Sequence, residues 1–500
     1  MTAEVKIAIL SDIQPLLTRI QHSLAGRGIV AYLAGGMVRD LLLGREVEDI
    51  DIAVAEDALE VASRIAADMQ GKYIPLDEEN RIGRVVLTDG ERRWELDFTT
   101  IEGSIEQDLA RRDFTIDAMA IGLEELLSHP QSPPLIDPFH GQDDLERGVI
   151  RVVSKSAFGD DPVRLLRAVR LAAELSFTIH EDTEALVREY AHLVGNVAGE
   201  RVREELLRLL VLPRSGQHVE YLEELGLLGH IFPELAQTKG VTQPREHYWD
   251  VFEHSLRTVR AVDFLLREGD WEYGGREVLE AVPWSEELAQ HFSRAVGHGS
   301  TRKSLLRLAA LLHDIAKPQT KTVEESGRTR FLGHATEGAL AATDVMQRLR
   351  FSSREIKLVE VLVRYHLRPT QMSQEGLPTS RAIYRYFRDT GEAGIDILFL
   401  SLADHLAARG KRLDPAHWRE HTAVIAYVLT KHAEEEKLTV PPKLVDGHDI
   451  INIFGLVPGP RFAEILESVR EAQATGEIST KEEVVSYIEN TLHIPLRKDK

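Results

Sequence analysis

A pair of glycines followed by two aspartates constrains this chain more than any other stretch. Gly35 and Gly36 follow the apolar run 29–33, and Asp49 and Asp51 stand at the head of a second apolar run. Residues i and i+2 of a strand point to the same face, so both carboxylates can bind a pair of divalent metal ions. Glycines, which lack a Cβ, let backbone amides approach a phosphate chain. The stretch predicts a metal-dependent nucleotide site, with a βα turn that merely carries two acidic residues as the structural alternative.

Helix and strand patterns are mixed in the residues up to about 125. Asp97 falls on a predicted strand that neighbours the acidic strand, where it can complete a carboxylate set with Asp49 and Asp51; an ordinary edge aspartate is the alternative. The stretch 77–84 reads as a loop. The patterns predict helices over 5–28 and 57–70 and strands over 29–33, 50–54, 72–76, 84–87 and 94–98.

Two further motifs carry charges suited to a nucleotide. Arg111 and Arg112 precede Asp113 and an apolar segment, and paired guanidinium groups bind a triphosphate bidentately. Beyond residue 150 helix dominates, and Gly159-Asp-Asp-Pro-Val-Arg164 predicts a helix that begins with an N-cap aspartate. Capping of the helix would account for one aspartate, either Asp160 or Asp161. It would not account for both, nor for an arginine on the same face of the helix.

The acidic and basic pair in this helix start is suited to reading a base. A carboxylate such as Asp161 accepts from the exocyclic amino group of C or A, and the Arg164 guanidinium donates to the adjacent ring acceptor. G and U carry a carbonyl oxygen at that position and would leave the carboxylate unpaired. The motif therefore predicts selection of C and A.

The amino-acid composition limits which residues can bind a metal ion and which kind of partner the chain can have. The chain has no cysteine, so a metal must be bound by His, Asp or Glu. Its formal net charge of -21 argues against a general nucleic-acid binder, whereas confined arginine clusters would suit one kind of RNA. No signal pattern and no apolar run of about 20 residues occurs, which predicts a soluble cytoplasmic protein without membrane contact. The basic clusters are Arg164, Arg167 and Arg170; Arg201, Arg203 and Arg208; and Arg409, Lys411 and Arg412.

A second candidate metal centre is indicated by histidines on helices after residue 240. His254 lies on one predicted helix, and the apolar helix 305–315 ends in His313 and Asp314. Asp404 lies on another apolar segment. A buried helix that delivers an adjacent His-Asp pair needs a polar partner for both groups, and a metal ion is such a partner. Each histidine taken alone is explained as a structural residue.

The ordered motifs of the first 215 residues resemble those of bacterial-class tRNA nucleotidyltransferases and poly(A) polymerases. The resemblance implies an α+β protein, with a polymerase-beta-like head over 1–145, a helical neck and body over 146–238, an HD domain over 239–430 and a helical RNA-binding tail over 431–500. The motifs are Gly35-Gly36 with Val38-Arg39-Asp40, Asp49-Ile-Asp51, Arg111-Arg-Asp-Phe-Thr-Ile-Asp117, Asp161-Pro-Val-Arg164 and Glu200-Arg-Val-Arg-Glu-Glu-Leu206.

By this resemblance the head adds CMP and AMP from CTP and ATP to a tRNA 3′ end. Asp49 and Asp51 would hold Mg²⁺ for a two-metal transfer, with Asp97 as a third catalytic carboxylate. The chain departs from the family in having Asp160 where Glu is common and Asp117 where Asn is usual. The implied nucleotide-binding residues are Gly35, Gly36, Arg39, Arg111, Arg112, Asp113, Asp160, Asp161, Arg164, Arg167 and Arg170.

The second centre resembles the HD metal-dependent phosphohydrolases. That resemblance implies His254, His313, Asp314 and Asp404 as ligands, with His334 and His366 as additional ones. We expect a divalent transition metal such as Mn²⁺, Ni²⁺ or Co²⁺, because imidazole is a poor ligand for Mg²⁺. Hydrolysis of phosphomonoesters or 2′,3′-cyclic phosphates is the implied activity, and a degenerate RNA-binding centre is the alternative. Residues 268–300 read as an insertion, either a lid over this centre or an inert surface loop.

Several functions stay open at this point. An enzyme that adds only CC, one that adds only A, and a poly(A) polymerase share the same motifs. A more distant hypothesis is an HD phosphohydrolase with a head that only binds RNA, but a binding module has no need of both Asp49 and Asp51. The expected partners are tRNA, CTP and ATP, and the chain is expected to be a monomer or a homodimer.

Overall fold

The computed structural model describes residues 3–47, 49–89, 92–374, 376–437, 444–457, 459–474 and 476–496. The chain divides into two compact units. The first contains Met1–Leu206 and Tyr221–Ile231, and the second contains Leu207–Glu220 and Phe232–Lys500. Among the helices of the described residues, none combines the length and the apolar character that a membrane span needs.

The first unit combines a mixed sheet with helices, as the predicted α+β class requires. Its helices are α1 (Ala3–Ala25), α2 (Gly36–Leu43), α3 (Ala58–Asp68), α4 (Ile105–Leu109), α5 (Leu123–Ser128), α6 (Gly141–Arg147), α7 (Ala157–Asp160), α8 (Arg164–Leu175), α9 (Glu181–Tyr190) and α12 (Leu228–Ile231), and two helices run from one unit into the other, α10 (Gly199–Val211) and α11 (Ser215–Glu224). Its strands are β1 (Ala31–Ala34), β2 (Asp49–Val54), β3 (Lys72–Asp77), β4 (Ile82–Asp89), β5 (Arg92–Thr100), β6 (Ala120–Gly122), β7 (Leu135–Ile136), β8 (Val149–Ile150) and β9 (Thr178–Ile179).

Seven strands form one sheet with the order β3-β4-β5-β2-β1-β6-β7. Strands β2 and β5 are parallel, and β2 pairs with β1 in the antiparallel direction. Side chains alternate between the two faces of β2. Ile50 and Ile52 are buried on one face, and Asp49 and Asp51 lie on the opposite face. The apolar side chains of β2 pack into the core, and the two carboxylates lie on the face of the strand that is turned away from that core.

Two local predictions differ from the structure in their bounds. The loop predicted over 77–84 is a four-residue turn, 78–81, because β3 continues to Asp77 and β4 begins at Ile82. The Asp77 carboxylate closes the short connection by accepting from the backbone N–H of Asn80 at 2.9 Å. The helix also begins later than predicted: α8 starts at Arg164 with Val163 in the cap position, while Asp161 is extended before Pro162 and its carboxylate accepts from the backbone N–H of Val163 at 3.4 Å.

The second unit is largely helical. Its helices are α13 (Pro233–Ala236), α14 (Val251–Leu265), α15 (Arg276–Glu280), α16 (Glu286–Ser293), α17 (Arg302–Leu312), α18 (Lys317–Thr320), α19 (His334–Arg348), α20 (Ser353–Tyr365), α21 (Arg368–Met372), α22 (Ser380–Thr390), α23 (Gly394–Arg409), α24 (Pro415–Lys437), α25 (Gly447–Phe454), α26 (Pro460–Ala474) and α27 (Lys481–Asn490). Its strands are β10 (Ala295–Gly297), β11 (Ser300–Thr301), β12 (Lys321–Val323) and β13 (Thr329–Phe331), and 3₁₀ helices occur at Thr115–Asp117, Ala191–Asn196, Gly391–Ala393 and Gly410–Arg412.

Helix α17 occupies the centre of the second unit. Residues 304–312 of this helix are all buried, as its nearly continuous apolar sequence predicts. The segment 268–300 is folded rather than a loop, since it contains α15, α16 and β10. Trp284 in this segment stacks on Phe292, and Phe292 packs against Phe399 of α23, which anchors the segment to the core.

Candidate nucleotide and metal sites

Three carboxylates predicted for the first site lie on neighbouring strands. The parallel register of β2 and β5 places Asp51 beside Asp97 and Asp49 beside Glu95. Asp97 also accepts two hydrogen bonds from Arg84 of β4, from Nε at 2.7 Å and from Nη2 at 2.8 Å. The predicted carboxylate set is therefore together, and Arg84 holds one of its members in a fixed orientation.

The electrostatics of Asp51 fit a cation site. The pKa of Asp51 is raised to about 6, chiefly by burial and also by the neighbouring carboxylates of Asp97 and Asp49, while Arg112 opposes the shift. Like charges held close together are costly unless a cation lies between them. This face of the sheet can therefore bind a divalent metal, whose charge would offset the repulsion.

The backbone of Gly35 lies next to the Arg112 guanidinium and the Asp51 carboxylate. Its φ of 74° is in the left-handed region, which favours glycine. A Cβ at this position would lie 2.3 Å from Nη1 of Arg112 and 3.5 Å from Oδ2 of Asp51. Any larger residue would displace the Arg112 guanidinium, so the glycine permits a cationic group to stand next to the carboxylate and the start of α2.

Arg39, which the sequence predicted as a triphosphate-binding residue, is buried and already pairs with two carboxylates. It is buried in the first unit, where Nη1 donates to Oδ1 of Asp117 at 2.7 Å and Nε donates to Asp40 at 3.0 Å. Burial raises the pKa of Asp117, although Arg39 opposes the shift. Its role in triphosphate binding stays a prediction, and what the structure shows is a link between α2 and the 3₁₀ turn that holds Asp117.

Asp161 and Arg164 lie close to each other but have additional partners. Arg201 of α10 binds both oxygens of Asp161, at 2.9 and 2.8 Å, whereas Nε of Arg164 is 4.0 Å from Oδ2 of Asp161. Arg164 also donates to the backbone oxygen of Arg111 at 2.9 Å. Burial alone would raise the pKa of Asp161, but Arg201 and Arg164 lower it below its ordinary value. Asp161 is therefore an ionised acceptor, as base reading requires.

Three of the remaining predicted nucleotide residues, Asp113, Arg167 and Arg170, belong to one network of ion pairs, whereas Arg111 pairs with Glu102 and Asp108. Arg167 donates to Asp113 at 2.9 Å and to Glu205 at 3.2 Å, and Arg170 donates to Glu205 at 2.5 Å. Asp160 accepts from Ser156 at 2.9 Å. The network links the loop after α4 to α8 and α10, and contact of these residues with a nucleotide stays a prediction.

The histidine cluster in the second unit has the geometry of a metal centre. His254 of α14 and His313 at the end of α17 bring their Nε2 atoms within 3.2 Å of each other. Oδ2 of Asp314 lies 3.5 Å from Nε2 of His254 and 3.2 Å from Nε2 of His313. Asp404 of α23 completes the group, with Oδ1 3.1 Å from Nε2 of His254. The four predicted ligands therefore converge on one point.

The two additional histidines face the other oxygen of the same aspartate. Oδ1 of Asp314 lies 3.5 Å from Nε2 of His334 and 3.9 Å from Nε2 of His366. Oδ1 of Asp314 and Nε2 of His334 are buried atoms without a hydrogen-bond partner among the residues described. Orphaned buried polar atoms are costly, and a metal ion between them would remove the cost.

Hydrogen bonds fix the orientation of three of these imidazoles. Nδ1 donates to the backbone oxygen three residues earlier in His313 at 2.8 Å, in His334 at 2.7 Å and in His366 at 2.6 Å. A proton on Nδ1 leaves the lone pair on Nε2, which is the atom aimed at the centre. The imidazoles are therefore held in the tautomer that binds a metal.

The charge states also suit metal binding. Burial lowers the pKa of His366 to about 3 and lowers that of His254, so both are neutral ligands at pH 7. Burial opposes a charge on His313 as well, but Asp314 and Asp404 raise its pKa above the ordinary value, so a metal ion at this centre would displace a proton from it. Burial disfavours the charged form of Asp314, but His313 and Lys317 hold its pKa well below the ordinary value. Imidazole nitrogens with two carboxylates fit a divalent transition metal.

Some residues of these sites were missed by the sequence analysis. Arg201 comes from an element distant in sequence from the carboxylate that it binds, so no local pattern marks it. Arg84 is the cross-strand partner of Asp97 on the next strand, so the register of β4 and β5 was needed to find it. Lys317 is different: its Nζ lies 2.5 Å from Oδ2 of Asp314 and donates to Gln243 at 2.6 Å. Its spacing of three residues from Asp314 was a usable signal, because i and i+3 share a face in a helical turn.

Three protein-family models match parts of this chain. Residues 31–151 match the "Poly A polymerase head domain", residues 176–238 match the "Probable RNA and SrmB- binding site of polymerase A", and residues 251–409 match the "HD domain". The chain is therefore an enzyme of the nucleotidyltransferase class that carries an HD domain.

Relatives that match most of the chain show to which family it belongs. An A-adding tRNA nucleotidyltransferase of Deinococcus radiodurans is 35% identical over 92% of this chain and 95% of its own length. A CC-adding tRNA nucleotidyltransferase of Thermus thermophilus is 34% identical over 92% of this chain and 93% of its own length. The chain belongs to the tRNA nucleotidyltransferase family. A solved CCA-adding enzyme of Thermotoga maritima in complex with tRNA has the same fold, with a TM-score of 0.62, 22% identity and 98% of each chain covered.

Proposed function

We propose that the head adds CMP and AMP, taken from CTP and ATP, to the 3′ end of tRNA. One observation carries this proposal: Asp51 and Asp97 lie side by side on parallel strands, next to Gly35 and Arg112. Carboxylates that bind metal beside a glycine turn and a guanidinium are the parts that nucleotidyl transfer requires.

Each residue has a distinct task in the proposed reaction. Asp49 and Asp51 would hold Mg²⁺, which supplies the charge that lowers the pKa of the RNA 3′-hydroxyl and stabilises in-line displacement at the α-phosphate as pyrophosphate leaves. Arg84 orients Asp97, so that the third carboxylate keeps one position. Arg112, held above Gly35, is placed to donate to the triphosphate.

We assign base selection to Asp161 and Arg164, in the helical part of the first unit. The bidentate contact from Arg201 keeps the Asp161 carboxylate in one plane, and each oxygen retains a second lone pair to accept from a base. Of the wider division, 1–145 is proposed for catalysis, 146–238 for recognition and 239–430 for HD chemistry. RNA binding is proposed for 431–500, of which 438–443, 458, 475 and 497–500 lie outside the described residues.

A narrower activity is the second candidate, and a specific observation favours it. The relatives that match over 92% of this chain are an A-adding and a CC-adding tRNA nucleotidyltransferase, whereas a multifunctional CCA protein of Nitrosococcus oceani matches over 67% of it. An enzyme restricted to A or to CC would use the same carboxylates and the same base reader. The two candidates therefore differ in product, not in chemistry.

An incorporation assay on three tRNA substrates separates these candidates. The purified chain is incubated with Mg²⁺ and with tRNA ending before CCA, after C, or after CC, and CTP and ATP are supplied separately. Addition of C to the first two substrates and of A to the third is the expected result for CCA addition. Addition of A alone to the CC-ended tRNA would make it an A-adding enzyme, and no incorporation on any substrate would contradict the proposal.

Replacing Asp161 by asparagine is expected to relax base selection. The amide offers both a donor and an acceptor, so G and U no longer face an unpaired carboxylate, and we expect kcat/KM for CTP or ATP to fall by about 10²-fold relative to UTP and GTP. Steady-state kinetics with the four nucleotides measure this ratio. Asp182→Asn, at a carboxylate whose side chain is 85% exposed, is the matched control and should leave it unchanged. Selection that survives Asp161→Asn would place the base reader elsewhere.

The Mg²⁺ requirement of nucleotide addition should rise in acid. With its pKa raised to about 6 in the metal-free protein, Asp51 is protonated below that pH, and each Mg²⁺ ion must displace a proton. We expect the half-saturating Mg²⁺ concentration to increase by about tenfold between pH 6 and pH 5 and to level off above pH 7. Arg112→Gln should move this transition to higher pH, because Arg112 lowers the pKa of Asp51. A requirement independent of pH would contradict the assignment.

The histidine cluster is proposed to bind a divalent transition metal and to hydrolyse phosphomonoesters or 2′,3′-cyclic phosphates. The buried orphaned atoms of Asp314 and His334 support metal binding. Lys317, next to Asp314, provides a positive charge suited to a phosphate group.

A further inference from the structure

A cavity of about 660 Å³ in the second unit shares no lining residue with either candidate site. It is bounded by the residues before α17, the first turns of α20 and the end of α22. Arg302 at the start of α17 lines it, whereas His313 of the metal centre follows the other end of the same helix, about 16 Å further along at the rise of an α-helix. The cavity and the metal centre are therefore separate features.

The lining of this cavity is cationic although the chain as a whole is strongly acidic. Asp389 and Glu392 are its two acidic residues. A local excess of positive charge on a chain with a net charge of -21 is a specific feature, because the average surface is of the opposite sign. The basic lining residues are Arg294, Arg302, Arg354, Lys357 and Arg388.

These cations differ in whether the fold already neutralises them. Arg302 is buried and its Nη2 lies 2.5 Å from Oδ2 of Asp396, and Arg388 donates to Glu467 at 2.8 Å. Lys357 contacts Glu360 at 2.9 Å through an exposed pair of little strength. Arg294 and Arg354 are exposed, and neither forms an ion pair with a carboxylate among the described residues. These two guanidinium groups are available to a ligand.

The rest of the lining indicates what kind of anion fits. Gly391 supplies polar backbone, whereas the Thr390 hydroxyl already donates to the backbone oxygen of Tyr386 at 2.7 Å. An apolar part of the wall is formed by Val296, Leu358 and Val361. No aromatic ring stands among the described residues that line the cavity, so a base has no surface on which to stack. The site can therefore read phosphate groups and not bases.

We propose that this cavity binds a phosphate-rich ligand through Arg294 and Arg354. Guanidinium groups donate bidentately to phosphate oxygens, and two of them in one cavity suit neighbouring phosphates. The phosphates belong either to an RNA backbone or to a free polyphosphate, and the two sources share this chemistry. The proposal is independent of the functions proposed for the head and for the histidine cluster.

The test compares the full chain with the double variant Arg294→Gln/Arg354→Gln. If the ligand is an RNA backbone, the affinity for tRNA at 0.1 M salt falls by about tenfold, and the slope of log affinity against log salt decreases by about 1.5, which corresponds to two lost phosphate contacts. If the ligand is a free polyphosphate, calorimetry with tripolyphosphate shows one equivalent fewer bound by the variant while tRNA binding is unchanged. Either result supports the site.

Two controls keep the result interpretable. Arg294→Lys/Arg354→Lys retains both charges and should keep the salt slope, and Arg276→Gln removes an arginine whose side chain is 88% exposed outside the cavity. Unchanged thermal unfolding of the glutamine variant shows that the fold is intact. If neither tRNA nor tripolyphosphate binding responds to the glutamine pair, or if Arg276→Gln has the same effect, the proposal is overturned.

Discussion

Replacing Asp51 by asparagine is expected to lower nucleotide incorporation into tRNA by at least about 10³-fold, which corresponds to about 4 kcal/mol of transition-state stabilisation. The substitution keeps the shape of the side chain and removes its charge. Asp51 is central to the carboxylate cluster, since Asp97 pairs with it in the sheet and Asp49 precedes it by two residues. Loss of its charge would weaken metal binding at the atoms where the transfer takes place. Incorporation of radiolabelled CTP and ATP measures the effect.

A matched control tests whether the loss belongs to the site. Glu56→Gln removes an exposed carboxylate just beyond the end of β2 and should leave incorporation within about twofold of the unmodified chain, as is usual for an exposed position. Removing the repulsion at Asp51 should leave the fold intact, which thermal unfolding checks. A folded Asp51→Asn variant that retains a tenth or more of the activity would refute the role of Asp51.

Replacing His313 by asparagine is expected to abolish metal-dependent phosphatase activity, by about 10²-fold or more, and to reduce bound transition metal. His313 contributes an oriented Nε2 to the centre, because its Nδ1 donates to the backbone oxygen of Ala310. The amide of asparagine is a weaker ligand and is too short to reach the same point. Metal content by elemental analysis and hydrolysis of a phosphomonoester with Mn²⁺, Ni²⁺ or Co²⁺ are the measurements.

The control for this variant is His417→Asn, at an imidazole that is 71% exposed in the same unit. It should bind as much metal as the unmodified chain. If His313→Asn retains both its metal and its phosphatase activity, the cluster is not the metal centre. If metal is lost but the unmodified chain also has no phosphatase activity, the degenerate alternative holds and the centre has a binding role.

The parts of the fold that the sequence predicted are those governed by local patterns. Strand alternation placed Asp49 and Asp51 on one face, and the structure confirms a mixed sheet in which the Asp97 strand lies beside theirs. The nearly all-apolar sequence of α17 predicted its burial and the delivery of His313 and Asp314 to one end. Periodicity suffices here because each element buries a face that its own sequence defines.

The errors and omissions have a different physical origin. The helix predicted to begin at Asp161 begins at Arg164 instead, because Asp161 is extended before Pro162 and its carboxylate accepts from the backbone N–H of Val163 in the turn ahead of α8. The partner of Asp161 depends on tertiary packing, since Arg201 is 40 residues away in the sequence and no local rule supplies such a contact. The partner of Asp97 depends on the register of two consecutive strands, which pairs it with Arg84. Which atoms of the second centre lack a partner likewise depends on the packing of several helices.

The central claim is that one chain carries two independent chemical centres, the carboxylates for nucleotide addition and the histidines for phosphate hydrolysis. The most direct test assays Asp51→Asn and His313→Asn for both activities in the same preparations. We predict that the first loses incorporation and keeps metal-dependent phosphatase activity, and that the second keeps incorporation and loses phosphatase activity. A folded variant in which a single substitution removes both activities would contradict the claim.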